Sequence, residues 1–193
     1  DNQNIKEFLD IKKKYKQLIF LDYNGQKGAG NSRNIGLDYI KENIDGEFLL
    51  FPFDGDDTLV SHGINLIKKT MKKNRYNLIS FAHCKIWPNG TKRIIKHSGI
   101  FTLNDLLKKY ITPCGSTVLK IKDVKILHIL RFGSRFRAND ALFFYQAVRQ
   151  MGKFRCYPNI LLNYNIGNTK SLSGRKFIMV YYKFMTFKDF GLS

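Results

Sequence analysis

The sequence predicts an α/β fold in which a mixed sheet is flanked by helices. Segments with the three- and four-residue apolar spacing of helices alternate with short apolar runs that are typical of strands. Of the 193 residues, 44% are hydrophobic and 14% are aromatic, which is enough to bury one sizeable core. The length therefore fits one globular domain better than two.

The first third of the chain predicts two helices and two strands. A helix is expected at residues 4–16, where Ile, Phe, Leu and Tyr recur at helical spacing, and a short strand at 17–21. A glycine-rich loop at 26–31 precedes a second helix at 32–43. The compact apolar run 48–53 ends at a group of carboxylates, as expected of a buried strand.

The rest of the chain continues the alternation. Trp87-Pro88-Asn89-Gly90 predicts the turn of a hairpin that runs on through residues 91–95. Thr102 or Asn104 is expected to cap the helix that follows. The further predicted elements are a helix with a basic outer face at 64–73, strands at 78–85, 116–120 and 160–164, helices at 102–110 and 140–151, and a basic, aromatic tail at 177–190.

The charge favours a polyanionic neighbour. The chain has 33 Lys and Arg residues against 15 Asp and Glu, a formal net charge of +18. It shows no paired-cysteine zinc pattern, no glycine-aromatic run of an RNA-recognition sheet and no basic helix leading into heptads. We therefore place a membrane surface or a phosphorylated ligand ahead of nucleic acid.

The cysteines and the hydropathy pattern indicate the compartment. Cys84, Cys114 and Cys156 are odd in number and far apart, which favours free thiols in a reducing environment. No apolar run approaches the roughly 20 residues that span a bilayer, and the N-terminal residues do not form a signal peptide. We expect a cytoplasmic protein that is either free in the cytosol or peripheral on the cytoplasmic face of the membrane.

A first group of candidate residues surrounds the start of the second helix. In Gly28-Ala29-Gly30-Asn31-Ser32-Arg33, a glycine-rich segment leads into a helix N-terminus, where free backbone N–H groups favour a phosphate. The Arg33 guanidinium adds a charged, bidentate donor. Gly28 and Arg33 are thus candidate donor-binding residues, although such glycine segments are more often simple turns.

A second group follows the apolar run at 48–53. Asp54, Asp56 and Asp57 come at the carboxyl end of the predicted strand, the usual ligand edge of an α/β sheet. Carboxylates there could hold Mg²⁺ or Mn²⁺. Asp54 and Asp56 are candidate donor-binding residues, and Asp56 and Asp57 are candidate metal ligands. A turn followed by a helix cap remains an equal alternative for an isolated Asp-Gly-Asp-Asp.

The order of these two groups resembles the middle of a family 2 glycosyltransferase with the GT-A fold. The resemblance rests on the glycines, Arg33-Asn34-Ile35-Gly36, a helix, Gly46-Glu47-Phe48 with its apolar strand, and Asp54-Gly55-Asp56-Asp57. It implies a GT-A-like mixed sheet, a nucleotide-sugar donor whose diphosphate is held with Mn²⁺ or Mg²⁺, and a glycan or lipid-linked acceptor.

The resemblance extends to a general base and to the acceptor side. In the family, a carboxylate pair precedes an aromatic-rich helix, and its Asp is the base. Asp140 matches that Asp, whereas Asn139 replaces the commoner Glu beside it; a helix cap is the alternative for this pair. Thr112 and Cys114 lie where the acceptor-side segment is expected, and a turn before a strand explains them equally well.

The resemblance also implies what the chain lacks. It covers residues 1–175, which form the predicted glycosyltransferase domain, and leaves 176–193 as a tail that could touch anionic lipid or stay solvated. Members of the family begin with a βαβ unit that binds the nucleotide, and from the resemblance we expect this chain to lack that unit. An omitted N-terminus, a split gene with a complementing segment, or a decayed remnant would each explain this.

The resulting functional hypothesis is an inverting hexosyltransferase that builds a surface glycan, such as capsule, lipooligosaccharide or lipid-linked oligosaccharide. The alternative is a non-catalytic fragment or partner subunit of a split glycosyltransferase, which binds glycan or protein through its incomplete sheet. Binding to nucleic acid, driven by charge alone, ranks third.

Overall fold

The structure is a computed structural model that describes residues 10, 11, 13–21, 28–109, 111–134, 139–166 and 190. Its centre is a mixed sheet in which seven strands join in the order β1-β6-β3-β7-β2, with β4 on β3 and β5 on β7. The strands are β1 Phe48–Leu50, β2 Thr58–Leu59, β3 Leu78–Ile86, β4 Lys92–Ile95, β5 Gly99–Phe101, β6 Thr117–Ile121 and β7 Phe154–Asn165.

Helices flank the sheet, as the alternation of patterns predicts. They are α1 Ala29–Asn43, α2 Gly63–Lys73, α3 Leu103–Lys108 and α4 Asn139–Met151, with a 3₁₀ helix at Val124–His128. β3 and β7 pair in parallel, whereas the other strand pairs are antiparallel. The predicted mixed α/β fold class is confirmed.

Two apolar clusters form the core. The larger one contains Leu37 of α1, Leu106 of α3 and the buried face of α4, where Phe143 stacks on Phe132 with ring centroids 4.2 Å apart. The smaller one lies under α2, whose Ile67 packs with Ile79, Phe81 and further residues of β6 and β7. The two clusters give the sheet its helical cover and fix the strand ends that carry the candidate site.

Several local predictions are confirmed. β3 and β4 form the predicted hairpin, and the Gly90 N–H donates to the Trp87 carbonyl at 2.8 Å in its turn. Gly90 has a φ of 82°, which suits glycine there. Thr102 caps α3 in a capping box with Asp105. Asn104 lies inside that helix and is not its cap.

Other boundaries differ from the predicted ones. Residues 18–21 form no strand, and among the described residues before them Asp10, Ile11, Lys13 and Lys14 are helical. α1 begins at Ala29, three residues before the predicted start, so that Gly30 is helical and not part of a loop.

The strands at both ends of the candidate site also differ. β1 stops at Leu50 and pairs only with β6 in the described sheet, which leaves Leu49 39% exposed where a buried strand was expected. β7 starts six residues before the predicted strand, because β3 and β7 shift register around Ala82 and absorb the extra residues.

The predicted tail lies outside the described residues except for Phe190. Phe190 is buried against α4: its ring centroid is 5.7 Å from that of Tyr145, and the Arg149 guanidinium lies 4.4 Å from its centroid. This residue therefore belongs to the core and is not the solvated or lipid-facing side chain expected of the tail. No helix among the described residues is both long and apolar enough to cross a bilayer.

Candidate functional site

The N-terminal half of α1 is fixed against the segment that precedes α4. The Asn34 side chain makes two hydrogen bonds with the backbone of Phe132: its amide donates to the carbonyl at 2.9 Å and its oxygen accepts from the N–H at 2.8 Å. One turn further along α1, Asp38 accepts a 2.5 Å hydrogen bond from Arg131. The helix is thus held along its length, and the orientation of Arg33 is set with it.

Gly30 allows the start of α1 to approach the start of α4. A Cβ atom at Gly30 would lie 2.0 Å from the Gly133 carbonyl oxygen and 3.1 Å from Cβ of Asn139. The Gly133 N–H in turn donates to the Asn139 carbonyl at 2.9 Å. Glycine at position 30 is therefore needed for close packing, while Gly28, the candidate donor-binding residue, lies half-buried at the N-cap with a φ of 143°.

Arg33 connects three segments through one guanidinium. It donates to Oδ1 of Asn139 at 3.0 Å and to Oδ1 of Asp54, and it lies 5.2 Å from the centroid of the Phe132 ring. Burial opposes its charge, but the neighbouring carboxylates of Asp54 and Asp140 favour it, and the pKa of Arg33 is raised. The cation is thus held between the loop after β1 and the first turn of α4.

The three carboxylates after β1 have three different environments. They lie in a turn closed by a 3.1 Å hydrogen bond from the Asp57 N–H to the Asp54 carbonyl. Asp54 is half-buried beside Arg33, Asp56 is exposed, and Asp57 is buried. Asn165, the last residue of β7, holds this turn through two hydrogen bonds. Its side-chain amide donates to the Asp56 carbonyl at 2.6 Å, and its backbone N–H donates to Oδ1 of Asp57 at 3.2 Å.

Asp57 keeps one carboxylate oxygen without a partner. Its buried Oδ2 has no hydrogen-bond partner in the described part of the chain, and a Cβ atom at Gly115 would lie 3.1 Å from it. Burial, together with the charges of Asp56 and Asp54, raises the pKa of Asp57 to about 6 despite the hydrogen bond from Asn165. A cation beside this oxygen would supply the missing interaction.

Metal binding by Asp56 and Asp57 stays a prediction. Residues 28–109, 111–134 and 139–166, with the shorter described parts, contain no group of three or more His, Cys, Asp or Glu that could hold a metal ion. Asp54 is paired with Arg33. The unpartnered oxygen of Asp57 and the exposed Asp56 suit a divalent cation that takes its other ligands from phosphate and water.

The pKa of Tyr164 is raised by carboxylates from both parts of the candidate site. Burial raises the pKa of its phenol to about 12, and the carboxylates of Asp57, Asp140, Asp54 and Asp56 add to this shift. The Tyr164 hydroxyl is thus affected by the carboxylates of the turn after β1 and by Asp140 in α4. The charges of both acidic groups thus act on the same phenol.

Asp140 lies half-buried in the first turn of α4 and affects the groups around it. Burial and then the Asp140 charge raise the pKa of Cys114 well above its usual value and that of Tyr145 to about 12. Cys114 is therefore a neutral thiol at neutral pH. Both Cys114 and Thr112 are buried, and their place on the acceptor side stays a prediction.

Sequence reasoning missed the groups that β3 and β7 contribute. Tyr164 is the last residue of the predicted strand and Asn165 follows it, but nothing local marks a residue whose partner lies 108 positions away. His83 of β3, whose ring centroid lies 5.9 Å from that of Tyr164, was missed for the same reason. Tyr164 and His83 become recognisable only when β3 and β7 pair.

The geometry can be compared with solved structures. The chain superposes on the crystal structure of S. aureus TarS residues 1–349 in complex with UDP-GlcNAc with a TM-score of 0.63 and 15% identity, covering 88% of this chain and 49% of TarS. A second crystal structure of S. aureus TarS 1–349 superposes with a TM-score of 0.58 and 16% identity. That match covers 82% of this chain and 48% of TarS. The chain has a glycosyltransferase fold.

The same comparison limits what can be carried over. The chain spans about half the length of the TarS structures that it matches. Its sequence matches no protein-family model and no curated protein. The shared feature is the curled mixed sheet flanked by helices.

We predict that Gly30→Ala will lower the free energy of unfolding by at least about 2 kcal/mol, because the new methyl group would overlap the Gly133 carbonyl oxygen. The matched control is Gly36→Ala in the same helix, where nothing lies within 4 Å of an added Cβ. That control should be neutral or stabilise by up to about 1 kcal/mol. Equal effects of both variants in urea unfolding would contradict the close approach.

We also predict a contribution of His83 to the pH dependence of stability. Burial and the charges of Lys85 and His97 lower the pKa of His83 from 6.5 to about 4. As the pH falls, His83 is protonated in the unfolded chain at a higher pH than in the folded chain. Neutral His83 therefore contributes its full stabilisation above about pH 6.5, and this stabilisation is lost as the pH falls towards 4.

His83→Gln should remove this dependence. The unfolding free energy of the wild-type chain, relative to the variant, should fall by about 2 kcal/mol between about pH 7 and about pH 5. Chemical denaturation at both pH values measures the difference. A pH-independent difference would mean that the His83 side chain is hydrated in the folded chain.

Proposed function

We propose that this chain carries the donor-side and base residues of an inverting hexosyltransferase. The donor is a nucleotide-sugar, and the acceptor is a surface glycan such as capsule, lipooligosaccharide or lipid-linked oligosaccharide. One observation carries the proposal: Arg33 bonds both Asp54 and Asn139, so the carboxylate turn and Asp140 lie at one site. The glycosyltransferase fold and the bound UDP-GlcNAc of TarS support it.

On this proposal, the diphosphate of the donor lies at the N-terminus of α1. Gly28 allows close approach there, and Arg33 offers a guanidinium whose bidentate geometry suits phosphate. Asp54 holds Arg33 until the donor arrives and Asp56 faces solvent, where donor contacts are accessible. Mn²⁺ or Mg²⁺ bound by Asp56 and Asp57 would neutralise the diphosphate and assist its departure.

Asp140 takes the role of general base. Its carboxylate removes the proton of an acceptor hydroxyl as that oxygen forms a bond to the anomeric carbon of the donor. The bond from the anomeric carbon to the diphosphate breaks on the opposite face, so that the configuration inverts. Asn139 holds Arg33 beside this carboxylate, which keeps a positive charge near the departing diphosphate.

The positive net charge supports a negatively charged acceptor or an acceptor at a negatively charged membrane surface. A chain with 33 basic and 15 acidic residues is attracted to phosphorylated or carboxylated glycans and to the cytoplasmic face of the membrane. Both fit a cytoplasmic enzyme of surface-glycan synthesis. Nucleic acid is not part of the proposal, because binding driven by net charge would leave the turn of three carboxylates without a role.

A second candidate function is that of a partner subunit without catalysis of its own. The open side of β1 favours it: within the described sheet β1 pairs on one side only, and Leu49 and Phe53 are 39% and 40% exposed beside it. A complementing N-terminal segment or another protein could add a strand there. In that case the nucleotide would bind only to the assembled pair.

Two substitutions test the assigned roles. Asp140→Asn should reduce UDP release from UDP-GlcNAc by about 10²–10⁴-fold while leaving donor affinity nearly unchanged, because the amide cannot accept the proton. Asp56→Asn should instead weaken Mn²⁺-dependent binding of UDP-GlcNAc, measured by isothermal titration. Asp45→Asn, which removes an exposed charge after α1, is the control and should alter neither quantity.

The outcomes separate the two functions. Near-normal turnover of Asp140→Asn would refute its role as base. If the wild-type chain binds UDP-GlcNAc only after an N-terminal segment is added, the partner-subunit function is favoured over an enzyme that acts alone.

A further inference from the structure

One continuous part of the chain has no acidic residue. From Thr58 to Asn104 the sequence contains nine Lys and Arg residues and no Asp or Glu, although the whole chain has 15 acidic residues. This part includes β2, α2, β3, β4 and β5. The nine positive charges of this part are therefore not balanced by any carboxylate within it.

The outer side of α2 carries four of these nine basic residues. Ile67 and Met71 point into the core, while Lys68, Lys69, Lys72 and Lys73 are exposed on the opposite side. They form two rows of like charges at i, i+4, which destabilise a helix unless an anion lies beside them. None of the ion pairs between described residues uses these four lysines.

Two arginines extend the charged surface beyond the C-terminus of α2. Tyr157 of β7 donates to the side chain of Asn74 at 3.3 Å, and the Arg155 guanidinium lies 5.2 Å from the Tyr157 ring centroid. Arg75 follows Asn74 and is exposed. The basic face is defined by Lys68, Lys69, Lys72, Lys73, Arg75 and Arg155.

The opposite end of α2 borders an open groove of about 570 Å³. His62, just before the helix, lines it together with Lys92 and Ile94 of β4. Ile94 is 53% exposed, and Ile64 in the first turn of α2 is 48% exposed. The basic face is thus flanked at one end by exposed aliphatic side chains and a further cation.

We propose that the basic face binds the surface of an anionic lipid bilayer. Its lysines would contact the headgroups, and Ile64 and Ile94 would enter the boundary between headgroups and acyl chains. A phosphate polymer would use the lysines but gain little from the isoleucines, and the nearby ring of Tyr157 is already covered by Arg155. The proposal is independent of sugar transfer, because it concerns a different surface.

Vesicle co-sedimentation of the full chain tests the proposal. The chain should bind vesicles that contain phosphatidylglycerol, release them at high salt, and bind phosphatidylcholine vesicles weakly. Replacing Lys68, Lys69, Lys72 and Lys73 together by Gln should weaken the binding by at least about tenfold. Gln has the helix propensity of Lys, so circular dichroism should be unchanged.

The control replaces Lys108, Lys109, Lys122 and Lys125 by Gln, which removes the same charge from exposed positions outside the basic face. Strong binding by the control and weak binding by the first variant support the proposal. Equal losses would overturn it, because net charge alone would then explain the attraction. Tighter binding of an oligonucleotide than of anionic vesicles, lost in the first variant, would also overturn it.

Discussion

The candidate site depends on the partners of one cation. Arg33 is largely buried, with 22% of its side chain exposed, and a buried charge without a partner would destabilise the fold by several kcal/mol. Asp54 and Asn139 provide these partners, and the Phe132 ring lies under the guanidinium. Because Asp54 follows β1 and Asn139 begins α4, satisfying Arg33 also sets the distance between the two acidic groups.

The surrounding contacts make this arrangement specific. Gly30 removes the side chain that would keep α1 away from Gly133, and Asn34 fixes the helix to the backbone of Phe132. On the far side, Asn165 holds the turn of carboxylates. On our proposal, an incoming diphosphate would compete with Asp54 for the guanidinium and free that carboxylate at the moment of binding.

The sequence predicts the parts of this site better than their environments. Periodicity and turn residues locate α1, α4 and the β3–β4 hairpin, since these signals are local. The acidic turn and Asp140 could be named from their order along the chain. The burial of each carboxylate could not be predicted in this way. Asp57 is buried while Asp56 is exposed, and this difference depends on Asn165 and Gly115, which only the folded sheet brings near. The same long-range pairing extends β7 beyond its apolar segment and leaves β1 at an edge.

The most direct test is a double-mutant cycle with Asp54→Ala and Asn139→Ala, followed by urea unfolding. Both side chains bond Arg33, so the loss of one changes what the other contributes, and we expect a coupling free energy of about 0.5–3 kcal/mol. Effects that add within about 0.3 kcal/mol would mean that Arg33 does not join the turn after β1 to α4. The two acidic groups would then have no demonstrated common site.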